Sequence, residues 1–198
     1  VVLAEALDLH LDRGLRVLIR SDVPRGKGVS SSAALEVSAM KAVADAYAVS
    51  PAISCRDLAL LCQRVENEIV GAPCGVMDQM VSACGGENEL LEILCQPAEL
   101  LGAVKLPREV EIWGIDSGIK HSVAGADYGT VRTAASMGYR IIAGIAGLSV
   151  DEAGPGRVEV SDPKWNGYLA NIDAKAFRET FESELPASVD GGEFVSTF

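Results

Sequence analysis

Histidine is nearly missing from this sequence. With only His10 and His121 among 198 residues, a histidine-rich metal site is argued against from the start. No C-x-x-C pair occurs among the five cysteines, Cys55, Cys62, Cys74, Cys84 and Cys95. An odd number of thiols fits a reducing, cytoplasmic setting, with small buried hydrophobes as their expected role. No apolar run approaches membrane-spanning length, and the first residues lack the charged-then-apolar order of a signal peptide. No basic cluster interrupts a formal net charge of −11, so neither nucleic acid nor a membrane is expected as a partner. Repeats and low-complexity tracts are absent as well. What is plentiful is core material: 48% of the residues are hydrophobic, enough for one sizeable domain or two small ones.

The most informative stretch is Pro24-Arg25-Gly26-Lys27-Gly28-Val29-Ser30-Ser31-Ser32-Ala33-Ala34. Residues 15–22 before it place Val17 and Ile19 on one face and predict a strand. Residues 33–48 after it are rich in alanine, with Val37, Met40, Val43 and Ala44 at helical spacing. Glycines therefore meet serines where a strand is expected to end and a helix to begin. Such a junction offers closely approachable backbone N–H groups and the positive end of a helix, which suits a phosphate. The plainer reading is a loop followed by a serine-capped helix. Lys27 is followed by Gly28 rather than Ser or Thr, which excludes a Walker A loop. Ser31 stands where a dinucleotide fingerprint needs its third glycine.

Along the rest of the chain, residues 1–10 suggest a short helix. Ser54 can cap a second helix that runs to about Val70 and ends at Gly71, with Asp57 in its first turn. Its apolar stripe is Leu58, Leu61, Cys62, Val65 and Ile69. On an ideal helix Glu66 borders that stripe and Glu68 points away from it. Glu66 is thus either a carboxylate looking into a cleft or an exposed partner of a residue one turn away. A short helix is expected over residues 76–84, with Asp78 in its first turn, where a simple match to the helix dipole would also explain it. Residues 89–96, 101–106 and 110–116 read as strands. A long helix is expected over 127–146, an exposed acidic connection over 148–164, and an amphipathic segment over 171–185. Asp190-Gly191-Gly192 reads as a turn, and a lone His121 as a hydrogen-bonded structural residue.

The pattern Pro-x-Gly-x-Gly-x-Ser-Ser-Ser-Ala-Ala at residues 24–34 resembles the second motif of the GHMP kinases, a family of small-molecule kinases. The block Glu66-Asn67 … Ile69-Val70-Gly71 … Pro73-Cys74-Gly75 … Met77-Asp78-Gln79 is similar to galactokinases of that family, as is Ile115–Val123 with Ala126-Asp127-Tyr128. Lys27–Ser32, Val65-Glu66-Asn67, Gly71–Met80 and Trp113–Ile119 look closest to its L-arabinokinase-like members.

The resemblance implies an α+β fold: a part like the second domain of ribosomal protein S5 over residues 1–117, then the start of the C-terminal GHMP domain over 118–198. It implies ATP and Mg²⁺ as cofactors, and phosphorylation of the anomeric (C1) hydroxyl of a free monosaccharide, L-arabinose or D-galactose. By motif position, Gly26, Gly28, Ser30, Ser31 and Ser32 would cradle ATP phosphates, and Ser32 and Glu66 would hold Mg²⁺. Asp78 would face the reacting sugar hydroxyl, and Tyr128 would contact the sugar. The family's Arg-containing first motif and Gly-rich third motif are not in the sequence, so the chain reads as a segment of a larger enzyme that could be inactive alone. The competing class is a non-catalytic sugar and ATP sensor on the same fold. Intact Ser32, Glu66 and Asp78 favour the enzyme.

Overall fold

The computed structural model describes residues 1–119, 126–154 and 157–198, with side chains omitted at 126–128, 152–154 and 157–158. Two compact units make up the chain, Val1–Gly125 and Ala126–Phe198.

In the first unit, α1 (Val2–Ala6) is followed by α2 (Ser31–Ala46), α3 (Cys55–Arg64), a π-helical turn (Val65–Val70) and α4 (Met77–Cys84). Then come the strands β1 (Glu89–Leu94) and β2 (Glu99–Lys105). The helices α2, α3 and α4 pack on one another because each carries an apolar face at helical spacing. Val37, Leu58 and Cys62 are buried together, with Met40, Ile53 and Ala83 against them. Ala59, Val76, Met80 and Ala98 form the adjoining cluster. Ser54 caps α3 as expected, its Oγ accepting from the Asp57 N–H at 3.1 Å and donating to the Asp57 carboxylate at 2.7 Å.

The two strands pair antiparallel, Glu89 opposite Lys105, with an irregularity between Glu92 and Ile93. Glu89, Leu91 and Ile93 turn inward in strict alternation with exposed neighbours. Arg56 of α3 donates to the Ala98 and Pro97 carbonyls at 2.6 and 3.3 Å and fastens the hairpin to the helices. At the far end of α2, Arg13 donates to the Ala46 carbonyl and lies 5.0 Å over the Tyr47 ring. A cation there suits the negative end of the helix.

The second unit holds α5 (Ala126–Ile145), the strands β3 (Val150–Gly154) and β4 (Arg157–Val160), α6 (Ala174–Thr180) and α7 (Gly191–Thr197). Ile141, Ile142, Ala143 and Phe181 are buried in it. Asp162 organises the loop after β4. Its carboxylate accepts from Tyr139 at 2.7 Å and from the backbone N–H groups of Lys164, Trp165 and Gly167. Partial burial alone would raise the Asp162 carboxyl. The Tyr139 bond and those backbone donors outweigh it and hold the group below its usual range.

Several expectations need correction. Residues 15–22 and 110–116 pair with no strand among the described residues; Leu18 is 94% and Ile115 96% exposed. Alternation describes a half-buried strand, but a strand needs a neighbour to satisfy its N–H and C=O groups. Residues 148–164 are not a featureless connection: β3 and β4 pair antiparallel there, with Val150 opposite Val160. The acidic composition masked the β-branched residues on this pair. Over 171–185 the α-helix covers only Ala174–Thr180, and residues 190–197 form a helix capped by Asp190 rather than an open turn. The α-helix after Ser54 stops at Arg64 and continues in π geometry to Val70. Cys62 is buried, but Cys55 and Cys95 are exposed. His121 lies outside the described residues.

Candidate active site

The loop into α2 is built from backbone conformation. Gly26, Gly28 and Ser30 all have positive φ, at 69°, 71° and 57°. Left-handed residues alternating with ordinary ones turn successive N–H groups toward one side, the concavity that binds anions. Glycine adopts this conformation freely; serine does so at a cost, which points to a constrained site. The first backbone bond of α2 runs from the Ala34 N–H to the Ser30 carbonyl at 3.0 Å. Ser30 makes no side-chain cap, so the serine-capped helix of the plainer reading is not what forms. The first N–H groups of the 16-residue α2 remain available at its positive end. Ser31 is half-buried and Ser32 exposed there. Lys27 reaches Asp116 at 2.7 Å. That bond, with the Gly118 N–H, holds the Asp116 carboxyl below its usual range.

The π turn decides which glutamate faces inward. The N–H groups of Gly71 and Ala72 both donate to the Glu66 carbonyl, five and six residues back. A wider turn advances each residue by less than 100°, so positions after Arg64 rotate off the ideal stripe. Glu66 becomes 6% exposed, while Ile69, expected on the apolar stripe, is 62% exposed. It is Glu68 that forms the exposed partner one turn away, with Arg64 at 3.2 Å.

Gln63 donates to the Cys74 carbonyl at 3.1 Å, and the Cys74 N–H donates to the Asn67 side chain at 2.8 Å. These bonds fold the Gly71–Val76 connection back on the π turn and so set where α4 begins. Asp78 lies in the first turn of α4, half-buried, and its carboxylate makes no hydrogen bond or ion pair among the described residues. Its neighbour Gln79 is 1% exposed. Gln79 Nε2 donates to Glu66 Oε2 at 2.7 Å and points at Glu36 Oε2 at 3.4 Å. The Cys74 thiol donates to Glu66 Oε2 at 3.4 Å.

Burial and the nearby Glu66 charge push the Cys74 thiol up to about 12, which keeps it protonated and unreactive. Burial, then the Glu66 charge, also raises the Glu36 carboxyl, with the Gln79 amide pulling the other way. No group of three or more metal-ligating side chains gathers among the described residues. Ser32, Glu36 and Glu66 offer hard oxygen donors, which fit Mg²⁺, a cation that needs only one or two protein ligands beside water and phosphate.

The structure thus joins Glu66 and the start of α4 in one hydrogen-bonded corner, and sets the 26–32 loop at the N-terminus of α2. Tyr128 falls in α5, its side chain outside what is described. Sequence reasoning missed Glu36 and the part played by Gln79. One signal was available: Glu36 stands four residues after Ser32, one turn along the same face of α2.

Residues 1–86 match the model of the GHMP kinases N terminal domain. The chain is 44% identical to the L-arabinokinase of Arabidopsis thaliana over all of its own length and 20% of that protein. It is 40% identical to the galactokinase of Chloroflexus aggregans over 69% of the chain and 34% of the relative. Against the galactokinase of Haemophilus influenzae it is 38% identical over 62% of the chain and 31% of the relative. The chain therefore spans between about a fifth and a third of these curated relatives' length. No solved structure matches it to a significant degree.

Proposed function

Because this chain belongs to the GHMP kinase family, we propose that it supplies the phosphate loop and catalytic carboxylate of a sugar-1-kinase. The reaction moves the γ-phosphoryl group of ATP to the anomeric hydroxyl of a free monosaccharide, L-arabinose or D-galactose. The observation that carries this reading is Asp78: a half-buried carboxylate with no partner among the described residues, at the start of α4 beside the Gln79–Glu66 bond. Similarity to an L-arabinokinase along the whole chain supports the substrate class. No helix among the described residues is long and apolar enough to cross a membrane. The five free thiols support a reducing, cytoplasmic setting.

Phosphoryl transfer asks a protein chiefly for positioning and charge stabilisation. The N–H groups of the 26–32 loop and the positive end of α2 would hold the ATP phosphates. Ser32 and Glu66 would hold Mg²⁺, which when bound neutralises charge developing on the phosphate oxygens. Asp78 would accept the proton of the attacking sugar hydroxyl or stabilise it electrostatically. Tyr128 would contact the sugar.

The test is a coupled ADP-release assay on the full-length protein, with L-arabinose or D-galactose, with and without Mg²⁺. Release that depends on both sugar and metal is the expected result. Sugar binding by calorimetry without any sugar-dependent turnover would instead favour a non-catalytic sensor.

A further inference from the structure

We propose that Gln79 is a positioning residue for the metal-binding carboxylate. Its amide ties one oxygen of Glu66 and leaves the other free for a cation. This rests on the reading of Glu66 as a Mg²⁺ ligand.

The argument begins with which oxygens are used. Both hydrogen bonds to the Glu66 carboxylate, from Gln79 Nε2 at 2.7 Å and from the Cys74 thiol at 3.4 Å, land on Oε2. Oε1 has no partner among the described residues, yet it is not among the buried atoms left unsatisfied. That oxygen therefore keeps some accessible surface although the residue as a whole is buried. A carboxylate with one oxygen anchored and one presented is arranged for monodentate coordination of a hard cation.

Gln79 itself is held in one orientation. Its Nε2 carries two protons and faces two carboxylates, Glu66 on the π turn and Glu36 on α2. Flipping the amide would set oxygen against oxygen on both sides. The orientation leaves Gln79 Oε1 buried without a partner, an arrangement that a purely structural glutamine gains nothing from. The donor side of the amide is what the corner uses. A single side chain from α4 thereby holds Glu66 Oε2 and bridges it to the like-charged Glu36.

The experiment titrates Mn²⁺, read by electron paramagnetic resonance, into the full-length protein saturated with a non-hydrolysable ATP analogue. Wild type is compared with Gln79→Met, which keeps length and volume but removes the donor, and with Glu66→Gln. Gln79→Met is expected to raise the Mn²⁺ dissociation constant about tenfold, while affinity for the analogue without metal stays unchanged. A Mn²⁺ constant within about twofold of wild type in Gln79→Met, with Glu66→Gln strongly weakened, overturns the Gln79 assignment and leaves the Glu66 reading intact. If Glu66→Gln binds Mn²⁺ as wild type does, the Glu66 reading fails and the proposal with it. Should Gln79→Met not fold, the side-chain amide signal of Gln79 in ¹⁵N-labelled wild type decides instead. It is expected to shift when Mg²⁺ is added to the analogue complex; an unmoved signal overturns the proposal.

Discussion

Two regions of the first unit handle charge by opposite means. At the corner of the π turn and α4, a buried Glu66 on the turn and a half-buried Glu36 on α2 face the amide of Gln79 on α4. In the loop before α2, the work falls to backbone N–H groups set by three left-handed residues. An ion pair there, Lys27 with Asp116, is exposed on both sides. The corner depends on tertiary packing, the loop on local conformation. They should therefore fail differently: a corner substitution should disturb chemistry or the whole fold, and a loop substitution should disturb ligand affinity first.

The largest effect is expected at Asp78, the carboxylate we propose as catalytic. Asp78→Asn should keep the fold and nucleotide binding but lower turnover by about two to four orders of magnitude, the usual span for a lost general base. Turnover and sugar Michaelis constant at saturating Mg-ATP are the measurements. Retention of more than a tenth of wild-type turnover would mean Asp78 serves only the helix dipole.

Next comes the floor of the corner. Met80 is fully buried, among Ala59, Val76 and Ala98, and Met80→Ala should cost about 3 kcal/mol by leaving a cavity. Denaturant unfolding gives this number. A cost below about 1 kcal/mol would show that α4 is not held by this cluster.

In the loop, Gly28→Val forces a β-branched side chain into positive φ. It should weaken binding of an ATP analogue about tenfold, equivalent to about 1.4 kcal/mol. Melting should shift less than Met80→Ala shifts it. An unchanged affinity would make the loop a mere connector.

The smallest effect belongs to the exposed pair. Lys27 depresses the Asp116 carboxyl, so the sign is that of a lowered acid. Its contribution is present above the ordinary aspartate value near pH 4 and fades as pH falls through the lower folded value. Lys27→Ala should therefore differ slightly from wild type in melting at pH 7 and not at all near pH 2. High salt should erase the difference at pH 7 as well. A large salt-insensitive loss would contradict the exposed geometry.

Much of the helical frame was legible beforehand, and for a local reason. Apolar residues at helical spacing mark α2, α3 and α4, and Ser54 announces the start of α3 because its hydroxyl satisfies an N–H only three residues away. The Gly-Ser loop was legible too, since glycine at alternate positions already permits the left-handed backbone found there. The 15–22 and 110–116 segments misled because alternation says which face would be buried and nothing about whether a partner strand lies alongside. The β3–β4 pair was missed for the converse reason: its acidic residues are as many as its valines, and pairing across the strands outweighs composition.

The amino-acid sequence alone determined that a glycine-serine loop leads into a helix, that Asp78 opens a short helix, and that Glu66 and Glu68 differ in surroundings. These follow from backbone conformation and hydrogen bonds within a few residues. Only the tertiary structure decided how far Glu66 turns inward, since an ideal helix leaves it on the border and the π turn buries it. The same holds for the meeting of Glu36, Glu66 and Gln79, residues as much as 43 positions apart. Side chains on separate helices share a hydrogen bond only once packing brings their backbones together. No periodicity along one segment can encode that distance.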